Sequence, residues 1–174
     1  MTTAIKDKTT VRSRLSSKAV WDELNKALFA VLSYVTPAGE PRASGVVYKA
    51  IGGRLYVPTD PDSWKARHIA RSGRVAMTVL VRRGGLLSLV APIPPATITF
   101  HGSAIVHLAD APEVRPLLDE LKALLPDERR EHAVVIEVTP EDTFLTYGIG
   151  VALNQMRDPA AAGARVAVKE GATS

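Results

Sequence analysis

Arg54-Leu55-Tyr56-Val57-Pro58-Thr59-Asp60-Pro61-Asp62-Ser63-Trp64-Lys65 changes period part-way along. Residues 54–59 follow the pair Gly52-Gly53, a hairpin turn signal, and read as a strand. Pro58 within it implies a strand end or a sheet edge, because proline has no N–H for a ladder. The second half reads as a helix start, with Asp60 suited to the cap and Pro61 to the first helical position. Ala66, Ile69 and Ala70 carry a weak apolar stripe, Arg71 suits the last turn and Gly73 the stop. The strand thus delivers a hydroxyl, Thr59, to a helix start holding Ser63 and Lys65. The first N–H groups of a helix have no partner within it, and the helix dipole is positive there, so this arrangement suits an anion. The same spacing also describes a capped helix with a solvated lysine.

Working outward, residues 16–27 read as a short helix and residues 28–36 as a strand apolar on both faces. A tight connection, Pro37-Ala38-Gly39-Glu40-Pro41, leads to a second strand over residues 42–51. Residues 74–81 and 96–108 read as the fourth and fifth strands, with Gly102 marking a bulge or bend. Asp110, Pro112 and Glu113 resemble a helix start. Val114, Leu117, Leu118, Leu121, Leu124 and Leu125 make the helical face that follows, closed by Pro126. Residues 132–139 alternate as a sixth strand, and residues 144–148 read as a seventh. The fold class is therefore mainly β (α+β): a six- to seven-stranded antiparallel sheet curled into a barrel, with short flanking helices. A doubly wound parallel sheet would need a helix after nearly every strand. The domain spans 16–150, with a flexible N-terminal arm over 1–15 and a C-terminal tail over 151–174.

The 174 residues are 46% hydrophobic and 23% charged, enough to bury a core and too apolar for a disordered chain. No cysteine is present, which excludes disulfides, thiolate catalysis and Cys-ligated metals. The longest apolar run is broken by glycines and prolines and is too short to span a bilayer, so no membrane association is expected. The early basic residues are followed by no hydrophobic signal region, and a cytoplasmic location is expected. The net charge of +4 resides in residues 1–20, with five basic side chains against one acid; the remainder is neutral overall. Residues 42–83 are nonetheless locally basic, nine against two, which suits a small phosphorylated ligand better than a nucleic acid. Aromatics, at 5%, are too few for a base-stacking platform.

No catalytic constellation stands out. His68, His101, His107 and His132 form no helical metal-binding pair, and His101 and His107 lie about 20 Å apart along one strand. No nucleophile elbow, Walker loop or dinucleotide fingerprint occurs, so neither metal ligands nor catalytic residues are assigned. An anion site without catalytic side chains is compatible with a cofactor that carries the chemistry.

The order Ala30-Val31-Leu32-Ser33-Tyr34-Val35-Thr36, Gly39-Glu40-Pro41-Arg42, Gly53-Arg54-Leu55-Tyr56-Val57-Pro58-Thr59, Ser63-Trp64-Lys65-Ala66-Arg67-His68-Ile69 and Gly73-Arg74-Val75-Ala76-Met77-Thr78-Val79 resembles the pyridoxamine 5′-phosphate oxidase-like, flavin-binding split-barrel superfamily. The resemblance covers about residues 25–148. It implies a homodimeric split β-barrel that binds FMN, or in some branches a deazaflavin coenzyme, in a groove between two barrels. A few members bind haem or FAD. It implies that Thr59, Ser63 and Lys65 hold the cofactor phosphate. The strand bearing Ala43, Ser44, Gly45, Val46 and Val47 would line the flavin ring. Thr97 and Thr99 would reach the cofactor from the other subunit. Trp64 stands where the oxidase has an arginine, so Arg42, Arg82 or Arg83 is expected to replace that contact. The oxidase's substrate-phosphate residues have no match, which argues against vitamin B6 as substrate. Residues 82–95 extend the minimal barrel, and their Leu86, Leu87 and Leu89 are candidates for a substrate-pocket wall. The implied function is an FMN-dependent oxidoreductase acting on a small, fairly apolar organic molecule. A deazaflavin-dependent reductase and a non-catalytic flavin-binding sensor are the alternatives.

Overall fold

Tyr48 explains why the sheet curls. In the computed structural model, which describes residues 15–83, 94–108, 110–117, 120–121, 123–125 and 132–169, the expected strand over 42–51 is two strands. These are β2 (Pro41–Val47) and β3 (Lys49–Ile51), separated by this one residue. The other strands are β1 (Phe29–Val35), β4 (Arg54–Thr59), β5 (Arg74–Val81), β6 (Ala96–Leu108), β7 (Val134–Pro140), β8 (Thr143–Tyr147) and β9 (Gly163–Ala167). All pairings are antiparallel, in the order β2-β1-β5-β6-β7-β4-β3, with β8 branching from β6 and β9 pairing with β8. The two ends of the main path are consecutive in the chain, so the sheet must bend until they meet at Tyr48. This is the curled, antiparallel half-barrel that the strand pattern predicts.

Tyr48 is fully buried at this seam. Its N–H donates to Leu28 O (3.1 Å), and its hydroxyl donates to Leu24 O (2.8 Å) at the end of α1 (Ser17–Lys26). Burial raises the phenol above its usual range, because the phenolate cannot be solvated there. The folded state therefore holds this proton more tightly than the unfolded chain, whose tyrosine titrates near 10. Stability is expected to be level with respect to this group below about pH 10, then to fall by roughly 1.4 kcal/mol per pH unit above it. Chemical denaturation of Tyr48→Phe should lack that component of the alkaline decline. At neutral pH the variant should lose about 1 kcal/mol, because Leu24 O loses its donor. An identical alkaline slope in the two proteins would exclude Tyr48 as its source.

The core follows from period-two burial: Ala30, Leu32 and Tyr34 of β1, Val75, Met77, Val79 and Val81 of β5, and Ala96, Ile98 and Phe100 of β6 all face inward. Phe144 sits edge-on to both Trp21 and Phe100, at 5.4 and 5.5 Å between ring centroids, which fixes α1 against β8. Contacts of this type add about 0.5–1.5 kcal/mol each beyond area burial. Helix α1 buries Ser17, Val20 and Leu24, whereas the sequence pattern over residues 16–27 favours Ala19, Leu24 and Ala27, with Trp21 flanking them. β6 is long enough to pair with β8 through Thr97–Thr99 and with β7 from Gly102 onward.

Three further differences from the sequence reading have local causes. Helix α2 (Trp64–Ser72) is capped by Ser63, not Asp60, since Asp60 and Pro61 are used in the turn before it. In the expected helix after Asp110, Arg115–Leu117 is a 3-10 turn and Glu120 and Leu121 are helical; residues 118, 119 and 122 lie outside the described residues. Val114 and Leu121 still bury their apolar face, against Tyr56 and Val135 on the outside of the sheet. The expected tail contains a 3-10 helix (Leu153–Arg157), a short helix α3 (Pro159–Ala162) and β9, and Ser17 Oγ donates to Val168 O (2.7 Å). Most of the expected N-terminal arm lies outside the described residues.

Candidate functional site

At the end of β4 the chain makes a turn in which Ser63 N–H donates to Asp60 O (3.1 Å) and Asp62 N–H donates to Asp60 Oδ1 (2.7 Å). Ser63 then caps α2, its Oγ accepting from Ala66 N–H (3.4 Å). Ala66 and Ile69 are buried beneath the helix. Gly73, at φ 61°, ends it in the left-handed conformation, with its N–H on Ile69 O (2.8 Å). Both ends of α2 are therefore fixed.

Beside its N-terminus is a cleft of about 510 Å³. One end carries Thr59, Ser63 and Lys65. The hydroxyls of Thr59 and Ser63 lie 3.5 Å apart, and the cap bond uses a lone pair of Ser63 Oγ and not its hydrogen, so neither hydroxyl hydrogen is strongly committed. Asp60 and Asp62 share this end, but Asp62 is paired with Arg67 (3.0 Å). The other end is apolar, formed by Phe29, Val46, Val47 and Leu125. Gly45 permits this wall: a Cβ there would lie 2.9 Å from Phe29 Cζ, so only glycine leaves the ring its present place. The cleft thus suits a molecule with an anionic end and a flat apolar end. Its described lining supplies binding and orientation, and among the described residues it holds no acid–base pair and no nucleophile–base pair. Among the described residues no cluster of His, Asp or Glu could hold a metal ion.

Six of the residues singled out in the sequence meet here: Gly45, Val46, Val47, Thr59, Ser63 and Lys65. Ala43 and Ser44 lie further along β2, outside the lining. Arg42 and Trp64 line a different cavity, and Arg42 is paired with Glu40 (2.6 Å). Arg82 follows the end of β5 and is not in the lining, while Arg83 donates to Val151 O (2.6 Å). Thr97 and Thr99 lie on β6. The register Gly45↔Val31, Val31↔Thr78, Thr78↔Thr99 puts Thr99 on the same sheet face as Gly45, three strands away. Leu86, Leu87 and Leu89 lie outside the described residues. Phe29, Pro58, Asp60, Asp62 and Leu125 complete the described lining without having been expected at the site. The signal for Phe29 was its place opposite Val47, which requires the register.

A family model described as pyridoxamine 5′-phosphate oxidase matches residues 16–147, most of the chain and all of the cleft. The chain belongs to this family. Among solved structures, this pyridoxamine 5′-phosphate oxidase family member is similar to general stress protein 26 from Bacillus anthracis str. Sterne. That match has 23% identity and a TM-score of 0.54, covering 75% of this chain and 92% of the other. It is similar to HutZ, the haem storage protein from Vibrio cholerae (15%, TM-score 0.62, 79% and 97%). It is also similar to an F420 reductase (22%, TM-score 0.50, 68% and 90%). At these identities the likenesses establish the fold alone. No curated protein sequence matches the chain. Among the described residues no helix is long and apolar enough to cross a membrane.

Proposed function

We propose that the protein binds FMN in the cleft and acts as a flavin-dependent oxidoreductase on a small, fairly apolar organic substrate. The observation that carries this reading is the pairing of Thr59, Ser63 and Lys65 at one end of the cleft with the Gly45–Phe29–Val47 wall at the other. When bound, a flavin supplies transfer of a hydride or an electron pair. Lys65 would hold the phosphate charge, and Thr59 and Ser63 would donate hydroxyl hydrogens to its oxygens. The backbone of β2 would lie along the ring, with Phe29 excluding water from its edge.

A homodimer is part of the same proposal. Phe29, Val47, Leu80 and Leu145 are exposed on one sheet face, together with Thr97 and Thr99. Apolar area of this kind is seldom left open to water. A second copy seated there would complete the open side of the cleft. Sedimentation is expected to give a dimer at micromolar concentration, and a stable monomer would remove the shared-groove arrangement.

The decisive experiment is the absorption spectrum of the purified protein, with identification of whatever denaturation releases. A flavin spectrum with released FMN supports the proposal. A colourless protein that takes up only a deazaflavin coenzyme supports the alternative that the likeness to F420 reductase suggests. Bound FMN without turnover of any reduced nicotinamide would favour a sensor. The described lining of the cleft contains no His or Met to ligate iron, which supports a flavin over haem in this reading.

A further inference from the structure

The residues of α2 that turn away from the cleft line a second cavity of about 470 Å³, formed with Tyr34, Thr36, Glu40 and Arg42 of the β1–β2 hairpin. Trp64 and His68 stand one helical turn apart and so share a face. Their ring centroids are 5.5 Å apart, and His68 is 5.9 Å from Tyr34, which makes a row of three rings with His68 in the middle. Trp64 is 68% exposed although α2 is already anchored by Ala66 and Ile69. Its indole is held in place by the Arg67 guanidinium, 5.7 Å from the ring centroid. His68 Nδ1 is buried and has no hydrogen-bond partner among the described residues. Such an atom ordinarily finds one.

Arg42 and Glu40, the guanidinium and carboxylate in the described lining, are paired with each other, and the Arg67–Asp62 pair lies outside that lining. Arg42 Nη2 donates to Glu40 Oε2 (2.6 Å), and Arg67 pairs with Asp62 (3.0 Å). The Arg42–Glu40 pair keeps further N–H groups on one side and further lone pairs on the other, so it offers a donor and an acceptor side by side. Tyr34 and Arg42 are direct partners across β1 and β2, which brings this polar pair to the end of the aromatic row.

We propose that this cavity is a second small-molecule site, distinct from the cleft, for an uncharged, flat nitrogen heteroaromatic carrying a carboxamide-type edge. The ring would stack on the exposed indole of Trp64, beside His68. The adjacent donor and acceptor of the ligand would meet Glu40 and Arg42. The matched charges favour a neutral ligand over an anion.

Calorimetric titration of the full-length protein with quinoline-3-carboxamide tests this. One saturable site per chain is expected, with Kd below about 1 mM. Trp64→Ala should weaken it by about tenfold or more, since ring stacking is lost; Trp64 is largely exposed, so the fold should survive the change. The N,N-dimethylamide, which lacks the donor, and cyclohexanecarboxamide, which lacks the flat ring, should each bind at least about tenfold more weakly. Lys65→Ala, which alters the cleft, should leave the affinity within about twofold. Absence of saturation at about 5 mM, equal binding of either control compound, or unchanged affinity in Trp64→Ala would each overturn the proposal. Loss of binding in Lys65→Ala with Trp64→Ala unaffected would place the ligand in the cleft and overturn it too. None of these results depends on whether FMN is the cofactor.

Discussion

Replacing Gly102 by alanine is expected to destabilise the protein by about 3 kcal/mol, the upper end of the usual cost of overpacking. A Cβ at this position would overlap the carbonyl oxygen of Thr139, and it would lie 3.0 Å from Thr139 C and 3.2 Å from Pro140 Cα. All three atoms are backbone, so no side-chain rotation relieves the clash. Gly102 is held from both sides, paired with Val75 of β5 and Pro140 of β7. The adjacent His101 O accepts from Glu141 N–H (3.0 Å), which fixes the start of the β7–β8 turn. Separation of β6 from β7 is the only relief, and it would disturb the pairings that continue to Leu108. For a chain of this size the change corresponds to a fall in melting temperature of about 6–12 °C. Gly39→Ala is the matched control: its φ of 83° makes alanine strained, but a Cβ there meets nothing within 4 Å. It should cost only about 1–2 kcal/mol. Equal melting temperatures for the two variants would show that the β6–β7 contact yields freely.

Lys65→Ala is expected to weaken FMN binding by about tenfold to a hundredfold, since a charge-assisted hydrogen bond contributes roughly 1.5–3 kcal/mol. Its effect on folding should be small, because Ala66, Ile69 and Gly73 anchor α2. Ser63→Ala should behave differently. Its hydroxyl both faces the cleft and caps the helix, so the variant should lose affinity and about 1 kcal/mol of stability together. Cofactor titration and thermal denaturation of the two variants separate these contributions. An unchanged affinity in Lys65→Ala would show that the phosphate binds elsewhere.

The strands were legible because burial on one face imposes a period of two, and the bounds of β5 and β6 coincide with their apolar patterns. The split at Tyr48 was not, since Tyr48 continues the apolar pattern of its neighbours and only the closure of the sheet makes it a seam. Asp60-Pro61 carries good helix-start chemistry, but Ser63 can form the cap only after the turn that Asp60 itself stabilises. In the site, Thr59, Ser63 and Lys65 are near in sequence and could be read as a unit. Arg42 could not be placed the same way: β2 alternates, so Arg42 lies beside Tyr34 on one face while Gly45 and Val47 look out from the other. Phe29 and Leu125 reach the cleft from distant parts of the chain, and no local spacing announces them.

The pairing of β4 with β7, in which Thr59 faces Val134, spans a long stretch of chain. Closing such a loop costs entropy before any contact rewards it, so pairings of this kind tend to form late and slowly. The β1–β2 hairpin is local and needs no such closure. The cleft draws Phe29, Gly45 and Val47 from that hairpin, and Thr59, Ser63 and Lys65 from the end of β4 and the helix that follows. Its two halves are brought together by the contacts of β2 with β4 and of β1 with α2, and the cleft is complete only in the folded sheet. A molecule seated between them binds the finished fold and not its precursors, so it would slow unfolding and shift the balance towards the closed sheet in proportion to its concentration. Cofactor uptake during refolding would then report the completion of the cleft.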